Sequence, residues 1–303
     1  MIKKITNPIF KELIDLKIIN KNKIKKISSR TRDKKISVYK CNLSGVIFLE
    51  KYITNSNYYK KIKYKYINKS NQKFYKIKIL KGRLEAPLTI EDDKRRFFQF
   101  NKFIKNKKLL DFGCGWGNFL NIIKNAKLLA GVELREDCIN FIKKINKKIF
   151  ITNNLNSLKE KFNIITVFHV LEHIPFQIQT LRALRSKLSK NGKIIIEVPS
   201  ASDFLLSFNE FKDFKKFTFW SEHLILHTEK SLRKVLIKSG FKKIKIQYFQ
   251  RYNFANHLGW FIKKKPGGHN FYKDIIDNKI NASYIDYLKR IKKTDSLIAI
   301  ASN

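Results

Sequence analysis

No apolar run in this 303-residue chain is long enough to span a bilayer, so the sequence is not expected to cross a membrane as a helix. Cysteine is scarce. Cys41, Cys114 and Cys138 are far apart and form no C-x-x-C pair. An odd, scattered set argues against a disulfide framework and against an intact zinc site, and suits a reducing cytoplasm, the expected location. The opening stretch MIKKITNPIFKELIDLK has neither an apolar core nor a small-residue cleavage site, so no signal peptide is expected. No internal repeat is visible. Acid is short: 24 Asp and Glu stand against 65 Lys and Arg, a formal charge of +41. One reading of that charge is an anionic partner: nucleic acid, an anionic membrane surface touched peripherally, or a phosphorylated substrate. The other is composition. Lys, Ile and Asn dominate together, all favoured by AT-rich codons, and Lys is spread along the whole chain. Charge of that kind is usually a solvated face, and this second reading is favoured.

The chain is 43% hydrophobic, enough for one large or two smaller domains. Residues 1–90 are rich in Lys, Tyr and Ile, with strand-like pieces such as SVYKCNLSGVIFL and KFYKIKILKG. They are read as a small, separate N-terminal α+β lobe. From residue 91 the texture changes. EDDKRRFFQFNKFIK reads as an amphipathic helix. Strand-like runs (KLLDF, KLLAGVE, KIFIT, NIITVFHV, GKIIIEVP) then alternate with helix-like runs (NFLNIIKNA, REDCINFIKKIN, QIQTLRALRSKLS, TEKSLRKVLIKSG). That alternation indicates an α/β fold, a parallel sheet covered on both faces. Gly192 and Gly240 are read as helix-ending glycines. FKKIKIQYF and TDSLIAIAS add two late strands around a long insertion. The expected architecture is a Rossmann-like, doubly wound seven-stranded sheet whose last strand is antiparallel. It occupies residues 91–303, with insertions near 200–226 and 249–294.

The most informative stretch is KKLLDFGCGWGNFL, residues 107–120. A short apolar strand ends in Asp111, and Gly113, Gly115 and Gly117 follow on alternate positions. In an open α/β sheet, ligands bind outside the carboxyl ends of the strands. Glycines there permit positive φ and close approach of a ligand to backbone. A dinucleotide fingerprint would need its third glycine where Asn118 stands. An acid beside the turn suits an ammonium group better than a pyrophosphate. The next strand ends in Glu133, a carboxylate able to accept from two ribose hydroxyls. Together these suit a nucleoside carrying a cationic amino-acid tail.

On these residues the sequence, from about residue 100 to 303, resembles the class I S-adenosylmethionine-dependent methyltransferases. DFGCGWG resembles that family's first motif, and Glu133 its ribose-binding acid. ITNNLNSL falls where the adenine usually lies, and FHVLEHI resembles the segment after the fourth strand. The resemblance implies S-adenosylmethionine as cofactor, with Asp111, Gly113, Cys114, Gly115, Gly117, Glu133, Leu134, Asn154 and His169 around it. Asp111 would meet its amino group.

Six histidines are available as a base. His169 ends the fourth strand. Glu172–His173 reads either as a pair that ties the loop or as a catalytic pair. The Phe-rich insert after the fifth strand contains Trp220-Ser221-Glu222-His223, similar to the Y-H-E-H stretch of bacterial sugar C-methyltransferases. That likeness implies Glu222 and His223 as catalytic residues, with His169 a third candidate. The same subfamily carries an N-terminal zinc lobe with C-x-x-C-G, and Cys41-x-x-Ser44-Gly45 resembles such a knuckle without its partner cysteines. A lone Cys cannot complete a tetrahedral site, so no metal is expected. The late insertion, with Arg251, Asn256-His257, Trp260 and Pro266-Gly267-Gly268-His269, offers either a turn or sugar and phosphate contacts.

The leading expectation is a methyltransferase acting on a small anionic sugar derivative, such as a sugar nucleotide or a glycan or lipid-linked intermediate of polysaccharide biosynthesis. An RNA methyltransferase is the alternative, favoured by charge alone; no RNA-binding signature is visible. A non-catalytic cofactor-binding protein is the third reading.

Overall fold

The computed structural model describes residues 5–54, 58–59, 78–80, 83–85, 90–272 and 274–303. The strands, in chain order, are β1 (Ile24–Ser28), β2 (Val38–Cys41), β3 (Ile47–Leu49), β4 (Lys78–Leu80), β5 (Arg83–Glu85), β6 (Lys108–Phe112) and β7 (Leu128–Val132). Then come β8 (Ile149–Thr152), β9 (Phe162–Phe168), β10 (Leu188–Pro199), β11 (Ile225–Leu226), β12 (Lys242–Phe249) and β13 (Ser296–Ser302). Seven of them form one sheet in the order β12-β13-β10-β9-β6-β7-β8, with the last strand, β13, antiparallel, as expected. β6 runs parallel to β7 on one side and to β9 on the other, so their carboxyl ends lie together.

The chain divides into two compact units. One comprises residues 54–168, 183–195 and 302–303. Its core is the apolar strands, with Leu109, Leu110 and Ile165 fully buried, packed by Phe100, Leu120 and Ile142 from helices. The helix Ile90–Ile104 opens on Glu91, Asp92 and Asp93, acids that complement the positive end of a helix. Arg96 pairs with Asp93 at 3.1 Å, both buried, and lies over the Phe168 ring. Of the strand-like run KFYKIKILKG only β4 falls among the described residues; it forms a hairpin with β5, and the rest lies outside them.

The second unit comprises residues 1–53, 169–182 and 196–301. Thus residues 1–53 are not the core of a separate lobe ending at residue 90. β1, β2 and β3 form an antiparallel sheet completed by β11, which lies in the 200–226 insertion. The Asn7 side chain clamps the join by donating to the carbonyls of Leu49 and Leu224. Sequence pattern cannot show this pairing, because a two-residue strand has no period to read. The helix Glu229–Lys238 starts at a Thr228–Ser231 capping box, and Gly240 follows its end at φ 91°. Gly192 does not end a helix. It lies inside β10, where a Cβ would stand 2.9 Å from the Ser189 carbonyl oxygen.

Among the described residues no helix is long and apolar enough to cross a membrane.

Candidate functional site

The glycine turn lies in the first unit. Gly113, Gly115 and Gly117 all adopt positive φ, at 76°, 53° and 73°. The Gly113 N–H donates to the Val132 carbonyl (2.7 Å), which draws the turn over the end of β7. A Cβ on Gly117 would stand 2.8 Å from the Ile142 side chain. At Gly115 the situation is the reverse: nothing lies within 4 Å of where a Cβ would be. Gly117 is therefore required by packing, and Gly115 borders open space.

Glu133 holds the turn in shape. Its Oε2 accepts from the Gly115 N–H (2.8 Å), and its Oε1 accepts from the N–H groups of Leu134 (2.8 Å) and Arg135 (3.0 Å). Asp111 is buried at the end of β6 and accepts from the Thr166 hydroxyl at 2.7 Å. Burial pushes its pKa up to about 7, against the pull of the Thr166 hydrogen bond and with a further push from Asp93. A carboxyl so placed gains from a nearby cation. Cys114 is a packing thiol: burial, then the charges of Asp111 and Glu133, push its pKa well up. Asn154 is exposed, and its side chain accepts from the Asn156 N–H (2.9 Å), capping a short turn.

These residues fit a nucleoside with an aminoacyl tail. Open space at Gly115 admits the ligand, the buried Asp111 carboxyl gains from a further cation beyond the influence of Arg96, and Glu133 keeps acceptor capacity on Oε2, Oε1 already accepting twice.

The second unit holds a network around His169, the residue after β9. His169 is at φ 53°, uncommon for a side-chain-bearing residue and a mark of local constraint. Its Nδ1 lies 3.2 Å from Glu172 Oε1, and its Nε2 lies 3.2 Å from both Glu197 Oε1 and Arg251 Nη1. Burial and the Arg251 guanidinium push its pKa down, but the hydrogen bonds to Glu172 and Glu197 outweigh them and hold it above the ordinary value. Arg251 is anchored by Asp295, which accepts from its Nε (3.3 Å) and its backbone N–H (2.9 Å).

Beside this network, His223 packs edge-on against His173, ring centroids 4.9 Å apart, and His173 Nδ1 is 4.0 Å from Glu222 Oε2. Burial, then the neighbouring His173, pushes the His223 pKa down to about 3. Burial pushes Glu172 up, but His169 pulls it the other way, to about 2. The structure thus brings the sequence candidates His169, Glu222 and His223 into one unit with Glu172 and His173. Glu172 bonds to His169 rather than merely tying a loop to His173.

Other sequence candidates serve packing. His257 is buried and bonds to the Tyr284 hydroxyl (2.7 Å) and Gln250. His227 bonds to Ser231 and Gln177. Trp260 is buried against Phe214 and Phe217, and His269 is paired with Asn256. Pro266-Gly267-Gly268 makes a tight join: a Cβ on Gly268 would stand 2.1 Å from the Ala255 carbonyl oxygen. His257, Trp260 and Gly268 are therefore spent on the fold and are not the sugar or phosphate contacts considered for them. Sequence pattern does not single out Glu197. Its signal was an acid inside the buried run KIIIEVP.

The methyltransferase-domain family matches residues 84–246. An uncharacterized protein of Methanocaldococcus jannaschii is 32% identical over 124 residues, covering 38% of this chain and 53% of that protein, so the chain spans about half the length of the curated relative it matches. A crystal structure of a SAM-dependent methyltransferase from Archaeoglobus fulgidus is similar in fold, with a TM-score of 0.50, 20% identity, and coverage of 71% of this chain and 94% of that one. The chain belongs to the methyltransferase-domain family, and its seven-stranded sheet is the Rossmann-like one of that fold.

Proposed function

We propose that the chain transfers the methyl group of S-adenosylmethionine to a small anionic acceptor, a sugar nucleotide or a related glycan or lipid-linked sugar. The observation that carries the reading is the glycine turn: three positive-φ glycines, with open space at Gly115, between a buried carboxyl with a raised pKa and a carboxylate that shapes the turn. S-adenosylmethionine supplies an electrophilic methyl on a sulfonium. Asp111 receives its ammonium group. Glu133 receives a ribose hydroxyl at Oε2 while keeping the turn closed, and the backbone of Gly113, Gly115 and Leu134 lines the approach.

On the acceptor side, His223 with Glu222 handles the hydroxyl. Burial keeps the His223 imidazole neutral and weakly basic, so its ring nitrogen accepts a hydrogen bond from the hydroxyl and orients it rather than taking its proton. His169, held by two carboxylates, is a positioning residue and not a base. The resemblance at Glu222–His223 supports a sugar acceptor.

The test is a screen of the purified chain with S-adenosylmethionine against sugar nucleotides, other anionic small molecules and RNA, read by mass spectrometry. Gain of one methyl on a sugar derivative is expected. Methylation of RNA alone would replace the acceptor, and no product with any class would count against the acceptor assignment.

A further inference from the structure

We propose that Glu172, His173 and His223 hold a divalent metal ion of the borderline class that includes zinc, manganese and ferrous iron. Nothing in the sequence called for it, since the only metal-like frame there was the incomplete one at Cys41.

Three observations meet at one place. First, one ligand atom from each residue lies within 4.8 Å of the others, and among the described residues this is the group that could hold an ion. Metal–nitrogen and metal–oxygen bonds are about 2.0–2.2 Å, so donors around one ion stand roughly 3–4 Å apart. A side-chain adjustment of about an ångström closes the set.

Second, Glu172 is fully buried, and only one of its oxygens is satisfied. Oε1 meets His169, whereas Oε2 is buried with no hydrogen-bond partner. An unpaired buried carboxylate oxygen is costly, and a cation is the group that most fully compensates it. The His169–Glu172 contact also has the form of an outer support, in which a ligating carboxylate is oriented by a hydrogen bond from behind. His169 in turn is fixed by Glu197.

Third, the two imidazoles are only half-buried. Two nitrogens and one carboxylate leave coordination positions open on that side for water or an acceptor oxygen, the arrangement of a catalytic rather than a closed structural site. Glu222 Oε2, 4.0 Å from His173 Nδ1, stands ready to orient that ring. With the ion in place, His223 meets the acceptor through the metal. That role rests on the proposed methyl transfer; the binding itself does not.

The experiment titrates cobalt(II) and zinc(II) separately into the full chain, stripped of metal with chelator beforehand. Cobalt binding is followed by visible absorption and zinc binding by calorimetry. One equivalent of each is expected, with cobalt bands of a nitrogen–oxygen set and no thiolate charge-transfer band. His173→Ala and His223→Ala should each weaken both ions by tenfold or more, with circular dichroism unchanged. Glu172→Gln, which keeps size and burial, should do the same. Unchanged affinity in all three variants, or bands from thiolate ligands, would overturn the proposal. Loss of methyl transfer in His223→Ala without any metal binding would overturn the metal and leave the methyltransferase reading standing. Metal binding without methyl transfer would do the opposite.

Discussion

Thr166 donates its hydroxyl to Asp111 at 2.7 Å, across the β6–β9 pair. The bond ties a buried carboxyl to the neighbouring strand, yet burial wins and leaves the pKa at about 7. The ordinary value is 3.8. Between those two values the folded chain binds more protons at this position than the unfolded chain. Stability from this group is therefore present at acid pH and lost as pH rises from about 4 to 7. Asp111→Asn removes the titration. Its thermal midpoint relative to the unsubstituted chain should climb steadily over that window, as measured by melts at stepped pH. A constant difference across the window would contradict the assignment.

The same group gives a signature of cofactor binding. An ammonium placed beside Asp111 favours the carboxylate, so binding S-adenosylmethionine near pH 7 should release a fraction of a proton. Calorimetry in buffers of different ionisation enthalpy would show it as a slope in the apparent heat. Buffer-independent heats would place the ammonium elsewhere.

The glycines separate by cause. Gly117→Ala drives a methyl to 2.8 Å from Ile142 at φ 73°, so it should lower global stability by about 1–3 kcal/mol in denaturant melts. Gly115→Val meets no neighbour in the protein, so its packing cost is small, and only its φ of 53° strains it. Its main effect should be loss of cofactor affinity by a hundredfold or more. Equal affinity in the Gly115 variant would remove the turn from the binding site.

Much of this was legible in the sequence because the parallel sheet advertises itself. β6, β7, β9 and the second half of β10 are largely apolar and mostly buried, and polar exceptions stand at or just past the strand ends: Asp111, Glu133 and His169. The glycine spacing needed no structure to be noticed. What stayed hidden depends on contacts far apart in the chain. Thr166 and Glu197 sit inside apolar strands, and only the strand order shows which acid or imidazole each one meets. His257 and Trp260 misled for the complementary reason: a histidine or tryptophan that fills a core reads, in one dimension, like one that faces a ligand.

The histidines can be ranked by one assay. His223→Ala should leave cofactor affinity intact and lower the single-turnover rate by roughly a hundredfold or more. His257→Ala, which removes a buried ring bonded to Tyr284, should instead lower the melting temperature. Should His257→Ala lose turnover with normal stability, the acceptor lies on the late insertion after all.

The charge of +41 should behave as composition. Non-specific nucleic-acid retention is expected at low salt and should fall steeply as salt rises. Retention of one RNA species at physiological salt, with strong sequence preference, would overturn this.

The clamp between Asn7 and Leu224 also sets a timetable for the nascent chain. The two residues are 217 positions apart. At about 5–20 residues per second, roughly ten to forty seconds separate their synthesis. Throughout that interval β3 waits at the ribosome with an open edge, a template for pairing with any neighbouring strand. Its short length, three residues, limits that hazard, and charge near an open strand edge, such as the Lys-rich N-terminal segment carries, disfavours such pairing.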